Sequence, residues 1–414
     1  MEQRQIIEWL RTKAETVATT SDYTLSISSK VARAKWPDGR AVGCGTDIAA
    51  KTQINAALDV VAWHIHEGSP DPTVNVVVGC AESSEVAQAL RTLRAEISHP
   101  TINLHRAMLS EGHTAPVTDD LPPPDFADSK DATRWAGYLA GWTKAVPPAL
   151  AAAFHAAVGD DAVRLYPMLS QSPVKGRWSI RVDGLEVGRV SAAAGVLGVG
   201  RDGKTGKQGV ARAAWVPIAG PQPVAFDLTT VEPAAAHVRD FIAKLRVGTG
   251  ADAVLRHGQA EHALESRIVR GVTPVTVAGT TLSLAFDDPV VSRGSQLPTK
   301  WGLDAGRARY LDGLLKSGST PWAIEMKVQE GGGFASYYRH AIGQAVLYRH
   351  FIRTATPMHA WFAEHGMNAA DCRAAVVFPK TPAKVKDKID RLKVLAERFD
   401  VEVAEVDLPG VAAT

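Results

Sequence analysis

The sequence predicts an α/β protein: a C-terminal αβββαβ core with a mixed sheet, preceded by α+β accessory domains. Three observations point there. Helix-period and strand-period segments alternate over residues 255–406. A Pro-rich break, LPPPDFADS at 121–129, separates off the first part. An Asp183-Gly184 pair stands between alternating apolar residues, which signals a hairpin in the middle part.

Residues 1–120 read as an N-terminal α/β accessory domain. Its first 18 residues are charged and amphipathic, with Ile6, Ile7, Trp9 and Leu10 near one helical face, unlike a signal peptide. Residues 23–29 alternate as a strand, 48–66 read as a helix with an Asp or Thr cap, and 74–79 form an apolar run suited to a buried strand. A helix follows at about 84–96, then a linker at 121–130. The middle domain, 131–246, opens with an Ala-rich helical stretch broken at Pro147-Pro148. It continues with the hairpin at 178–192, a Gly-rich stretch at 195–209, strands near 211–218 and 222–229, and a closing helix at 231–246. The third domain, 255–406, runs as a helix at 259–270, strands at 275–286, 308–316 and 321–328, and a long helix at 335–353. A strand at 373–378, a helix at 383–398 and a strand at 400–406 complete it. No internal repeat recurs at a fixed period.

Composition narrows the function classes. Lys+Arg number 46 and Asp+Glu 44, a net +2 that favours neither nucleic acid nor its absence. The 45% hydrophobic content is normal for a globular chain. Cys44, Cys80 and Cys372 are far apart, so neither a zinc site nor a disulfide framework is expected, and a cytoplasmic location fits. No apolar run reaches the ~18–20 residues that span a membrane.

The chemistry-bearing segment is PWAIEMKV, 321–328. On a strand, Trp322, Ile324, Met326 and Val328 share one face, and Ala323, Glu325 and Lys327 the other. ARYLDGLL, 308–315, places Asp312 on a neighbouring strand across the turn-like KSGSTP. Asp312 and Glu325 could converge on a hard cation such as Mg²⁺, with Lys327 beside a bound water or phosphate oxygen. A bare E-x-K triplet is expected by chance about once in such a chain. Its company raises the signal: Glu265 upstream in EHALESRIVRG, and Gln344 and Tyr348 four apart on one helical face downstream.

The ordered set Glu265, Asp312, Glu325-x-Lys327 and Gln344-x-x-x-Tyr348 resembles the PD-(D/E)xK, or restriction-endonuclease-like, nuclease superfamily. The Q-x-x-x-Y helix looks like its RecB-type branch, and LDGLL, AIEMKV and IGQAVLY look like the branch containing NucS-type DNA endonucleases. The resemblance covers about 255–406; Leu311 stands where a proline often precedes the aspartate. It implies a restriction-endonuclease-like core and a Mg²⁺- or Mn²⁺-dependent nuclease, an endonuclease in expectation, acting on DNA, with RNA left open. Asp312, Glu325, Glu265 and the Met326 carbonyl would be metal ligands, with His262 an alternative to Glu265. Lys327 would position water, Gln344 would orient Lys327 or the scissile phosphate, and Tyr348 would support it. Restriction, phage defence or repair are the implied settings, a homodimer is left open, and residues 1–245 would recognise substrate or signal.

Between Arg293 and Arg353 there are nine Lys/Arg and four acids, a local +5. Arg307, Arg309, Arg339 and Arg349 are therefore candidate phosphate contacts, and Trp301, Tyr337 and Tyr338 candidate stacking groups. A rival motif, GVGRDGKT at 198–205, satisfies the P-loop pattern with Lys204, Thr205 and a distant Asp227. The following GKQG disfavours the required helix, and hairpins surround it, so a Gly-rich loop is expected, its Arg201, Lys204, Lys207 and Arg212 available to nucleic acid. Three classes thus stand: an active nuclease, a P-loop nucleotide hydrolase, and a catalytically inactive nuclease-like scaffold.

Overall fold

A computed structural model describes residues 3–407 apart from 18–22, 29, 37–38, 46, 69–72, 108–114, 168–176, 199–214, 216–221, 248–259, 296, 300–308, 329–333 and 381–385. The chain is mixed α/β. Among the described residues no helix is long and apolar enough to cross a membrane.

The first part runs α1 (Gln3–Val17), β1 (Thr24–Ser28), β2 (Val31–Trp36), β3 (Gly39–Cys44), α2 (Ala50–His66), β4 (Thr73–Val78), α3 (Glu85–Glu96), β5 (Thr101–Arg106) and β6 (Val117–Thr118). The strands lie in chain order in one sheet. β1, β2 and β3 are antiparallel neighbours, while β3–β4 and β4–β5 are parallel. Parallel neighbours need a crossover, and α2 and α3 supply them. One apolar stripe of α1 (Ile6, Leu10 and Ala14) is wholly buried against the sheet. Sequence periodicity missed the β2–β3 hairpin because VARAKW and GRAVGC carry Ala and Gly where bulky alternation would signal a strand.

The Pro-rich segment is irregular, as its prolines require, but it docks. Phe126 packs edge-on to Phe351 with centroids 5.0 Å apart, and the Pro124 carbonyl lies 2.8 Å from His350 Nε2. The middle part then runs α4 (Lys130–Lys144), α5 (Ala149–Val158), β7 (Val163–Pro167), β8 (Trp178–Val182), β9 (Leu185–Val190), β10 (Gly195–Leu197), β11 (Val224–Phe226) and α6 (Val231–Val247). Its five strands form an antiparallel meander, with α5 and α6 packed together against it. The β8–β9 turn places Asp183 and Gly184 at φ 44° and 81°, the left-handed pair a two-residue hairpin needs. Of the strand expected near 211–218, only Trp215 is described, in a helical residue and buried.

The last part runs α7 (Ala260–Val269), β12 (Thr276–Val277), β13 (Thr280–Thr281), β14 (Ser283–Leu284), β15 (Leu297–Thr299), β16 (Arg309–Leu311), β17 (Gly313–Ser317), β18 (Thr320–Met326), α8 (Phe334–Thr354), α9 (His359–Glu364), β19 (Arg373–Pro379), α10 (Lys386–Arg398) and β20 (Val401–Val406). The sheet order is β14-β17-β18-β19-β20. Two expected strands are broken. The 275–286 segment turns at Ala278 and Gly279, both at positive φ, into three short pieces. The 308–316 segment breaks at Asp312: β16 pairs with β15, and only β17 joins the main sheet.

The first and last parts repeat one topology. Each has a helix on one face, three antiparallel strands, a helix, a parallel strand, a second helix and a further parallel strand. Helix α2 packs on α8, α3 on α8, and α10 on α2, so the contacts are reciprocal. The two copies share one apolar core, in which Ile54, Leu58 and Val61 meet Ala341, Ile342 and Ala345. Gly343 marks the close approach: a Cβ there would lie 2.8 Å from Leu58 Cδ1.

Candidate functional site

Strand β18 separates two environments by simple alternation. Trp322, Ile324, Met326 and Val328 pack with Leu264 and Ile268 of α7, while Ala323 faces the core shared with α8. Glu325 follows Ala323 on that second face and is 1% exposed. Asp312 sits in the break before β17, where its Oδ2 accepts from the Met326 amide at 2.8 Å. The β17–β18 hairpin, closed at Gly318 (φ 57°), brings the two acids together, but Asp312 does so from the break before β17 and not from the strand the sequence predicts.

Lys327 Nζ lies 2.7 Å from Glu325 Oε1, 2.9 Å from Glu261 Oε1 and 3.6 Å from Asp312 Oδ2, and donates to the Met326 carbonyl at 2.8 Å. Glu265, 3% exposed, accepts from or faces His262 Nδ1 at 3.2 Å. Burial, then the neighbouring Glu325, pushes the Asp312 carboxyl well above the usual range. Burial also raises Glu325, against the opposing pull of Lys327. Burial alone would lower Lys327, but Glu325, Asp312 and Glu261 hold it firmly charged.

Sequence reasoning missed Glu261. It stands one turn before Glu265 in EHALES, and that i, i+4 spacing on one helical face was the available signal. Helix α7 is itself braced by the middle part. Arg270 pairs with Asp183, and a Cβ on Gly184 would collide with the His262 carbonyl. The β8–β9 turn therefore sets the position of the helix that carries Glu261, His262 and Glu265.

The donors suit a hard divalent cation. They are carboxylate oxygens, and Glu325 Oε2 is buried with no hydrogen-bond partner among the described residues. Asp312, Glu325, Glu261 and Glu265 outnumber the one ammonium among them. Among the described residues no group of three His, Cys, Asp or Glu forms a ready metal cage; here the carboxylates gather around Lys327 Nζ instead.

The other expected residues divide. Gln344 Nε2 donates to the Tyr348 hydroxyl at 3.2 Å, and Tyr348 is buried in the core shared by α2 and α8. Arg349 is corrected as a phosphate contact. Its side chain is 1% exposed, pairs with Glu96 at 2.7 Å and donates to the Phe399 and Asp400 carbonyls. Arg339 pairs with Asp59 of α2, again between the copies. Arg293 donates to the Trp142 and Ala145 carbonyls, and Arg353 to that of Cys372. Much of the local +5 is thus turned inward, because carbonyls at element ends need donors. Arg307, Trp301, and the side chains of Arg309, Tyr337 and Tyr338 lie outside the described residues.

The rival motif loses its supporting aspartate. Asp227 Oδ1 accepts from the Thr229 and Thr230 amides, capping the turn into α6. Its sheet is antiparallel throughout, whereas a P-loop follows a strand with a parallel crossover. Arg201, Lys204, Thr205, Lys207 and Arg212 lie outside the described residues. No protein-family model, curated protein or solved structure matches the chain.

Proposed function

We propose that the chain is a metal-dependent nuclease of restriction-endonuclease-like fold that hydrolyses phosphodiester bonds in DNA. The observation that carries this reading is the buried cluster at the end of β18. Three carboxylates, the part-exposed Glu261 and the more enclosed Asp312 and Glu325, meet Lys327 there, and buried Glu265 adds its charge beside Asp312. So many acids are costly to bury without a cationic task. Asp312, Glu325 and Glu265, with the Met326 carbonyl, are the groups that would hold Mg²⁺ or Mn²⁺. When bound, the cation supplies Lewis-acid activation of the phosphate and its attacking water. Lys327 Nζ, freed from one carboxylate, holds the nucleophilic water and offsets charge on the phosphate oxygens. Glu261 orients that ammonium. The Gln344–Tyr348 pair fixes the neighbouring face of α8.

The test is a cleavage panel of linear, circular, single-stranded and mismatched DNA, and RNA, with Mg²⁺ or Mn²⁺. Wild type should cut a DNA substrate and Lys327→Ala should not. Inertness of wild type on every substrate, or undiminished cutting by Lys327→Ala, would sink the proposal.

A further inference from the structure

The repeated topology allows the two copies to be compared position by position. Hairpin β2–β3 closes on the pair Trp36–Gly39, and hairpin β17–β18 on Ser317–Thr320, each with two residues between. Matching these pairs needs no gap. It puts Val31 at the position of Asp312, Cys44 at that of Glu325 and Gly45 at that of Met326.

Face parity checks the match independently. Val42 and Cys44 lie in the core shared with α2, as Ala323 lies in the core shared with α8. A Cβ on Gly43 would meet Ile6 and Leu10 of α1, as Ile324 packs with Leu264 of α7. The same strand thus presents the same face in both copies, but the chemistry is gone. Val31 is 2% and Cys44 1% exposed. Burial pushes the Cys44 thiol up to about 12, so it stays neutral, and its soft sulfur is a poor ligand for an oxygen-preferring cation. The buried residues of α1 are Ile6, Leu10 and Ala14, with no counterpart to buried Glu265.

We infer that the chain is a nicking enzyme: a two-copy assembly within one polypeptide that carries a single catalytic set and so cuts one strand of a DNA duplex per binding event. The inference rests on the nuclease reading above and adds its product. Cutting both strands requires two hydrolyses on backbones of opposite polarity, and a reciprocal pair of sites would provide both. In each hydrolysis a water oxygen bonds to phosphorus, one ester P–O bond breaks, and the departing sugar oxygen takes up the proton. With apolar residues in the first copy, the second hydrolysis needs release and rebinding in the reverse orientation.

The deciding experiment follows supercoiled circular duplex DNA under substrate excess with Mg²⁺ and, separately, Mn²⁺. The expected course is accumulation of open circles, with linear product appearing only after a lag and initially at least about tenfold more slowly. Linear product formed from the outset at a rate comparable to open circles overturns the inference while leaving the nuclease reading standing. No cleavage with either cation overturns both. Glu325→Gln should abolish nicking, and nicks persisting in that variant would count against the site assignment and the inference with it. Cys44→Ala, folded by its far-UV circular dichroism, should nick within about twofold of wild type. A loss of tenfold or more in that folded variant would mean the first copy takes part in cutting, and would overturn the inference.

Discussion

The first and last copies of the repeated fold differ most where their hairpins end. In the last copy β18 runs into four carboxylates and a lysine, three of the acids meeting its ammonium within 3.6 Å. In the first copy the matching hairpin ends in Val31 and Cys44, both in the apolar core. The same order of sheet strands and crossover helices stands in both, with β12, β13, β15, β16 and α9 added in the last and β6 in the first. The acid–lysine cluster is therefore not what the fold requires. The shared requirements are the apolar faces of α1 and α7, and the joint core under α2 and α8. The cluster sits on one copy as an addition to a common frame.

Substitutions at matched positions test whether the two copies differ in role. The largest expected effect is on activity. Lys327→Met should reduce cleavage by at least about 100-fold in initial-rate assays, whereas Cys44→Ala, at the position matching Glu325, should leave it within about twofold. Comparable losses in both variants would dissolve the distinction between the copies.

Next is the stability of the joint between them. Arg349 is buried with Glu96 as its partner, and truncating one member of a buried ion pair typically costs about 3–5 kcal/mol. Urea unfolding of Arg349→Ala should show a loss of that order. A loss below about 0.5 kcal/mol would mean the copies do not depend on this pair. Gly343→Val should cost about 1–3 kcal/mol by forcing α8 off Leu58. The exposed Gly137→Ala, where a Cβ meets nothing within 4 Å, should not destabilise, and the two variants can be compared by thermal midpoint.

The smallest effect is on pH dependence. Burial opposes ionisation of Glu96, but hydrogen bonding from His350 and the charge of Arg349 lower its carboxyl from 4.5 to about 2. A depressed acid stabilises the fold above its unfolded pKa, and that contribution is lost as pH falls through the folded value. The melting temperature of wild type should therefore decline between pH 4.5 and about 2. Glu96→Gln should flatten that decline. An equal slope in both proteins would remove Glu96 from the account.

Most C-terminal elements are legible because their side chains are large and their periods clean; the strands expected at 275–286 and 308–316 break at Ala278-Gly279 and at Asp312, which periodicity does not register. PWAIEMKV alternates without exception, and the long helix was placed to within a residue at each end, at Phe334–Thr354. Asp312, Glu325 and Lys327 meet as the sequence suggests; Glu261 escapes although it stands one turn from Glu265, because charge on a helix does not say which acid reaches the strand end. In the first copy α1, β1, α2, β4 and α3 are legible too, and what escapes is chiefly the β2–β3 hairpin. That hairpin is written in Ala, Gly and Val, and its site residues carry no chemistry to notice. The duplication itself left no periodic trace, since what repeats is which positions are buried, not which residues fill them. Arg349 misled because charge in a sequence does not say which way it points.

The joint core has a consequence for how the chain is made. The face of α2 that meets α8 is complete once residue 66 has been synthesised, but α8 begins only at residue 334. At ~5–20 residues per second, that interval lasts on the order of tens of seconds. During it, Ile54, Leu58 and Val61 have no native cover from the other copy. The nascent first half therefore carries an apolar face without its native partner until α8 emerges. A fragment ending near residue 120 should pair with itself through α2 or aggregate, and size-exclusion chromatography of that fragment would show which.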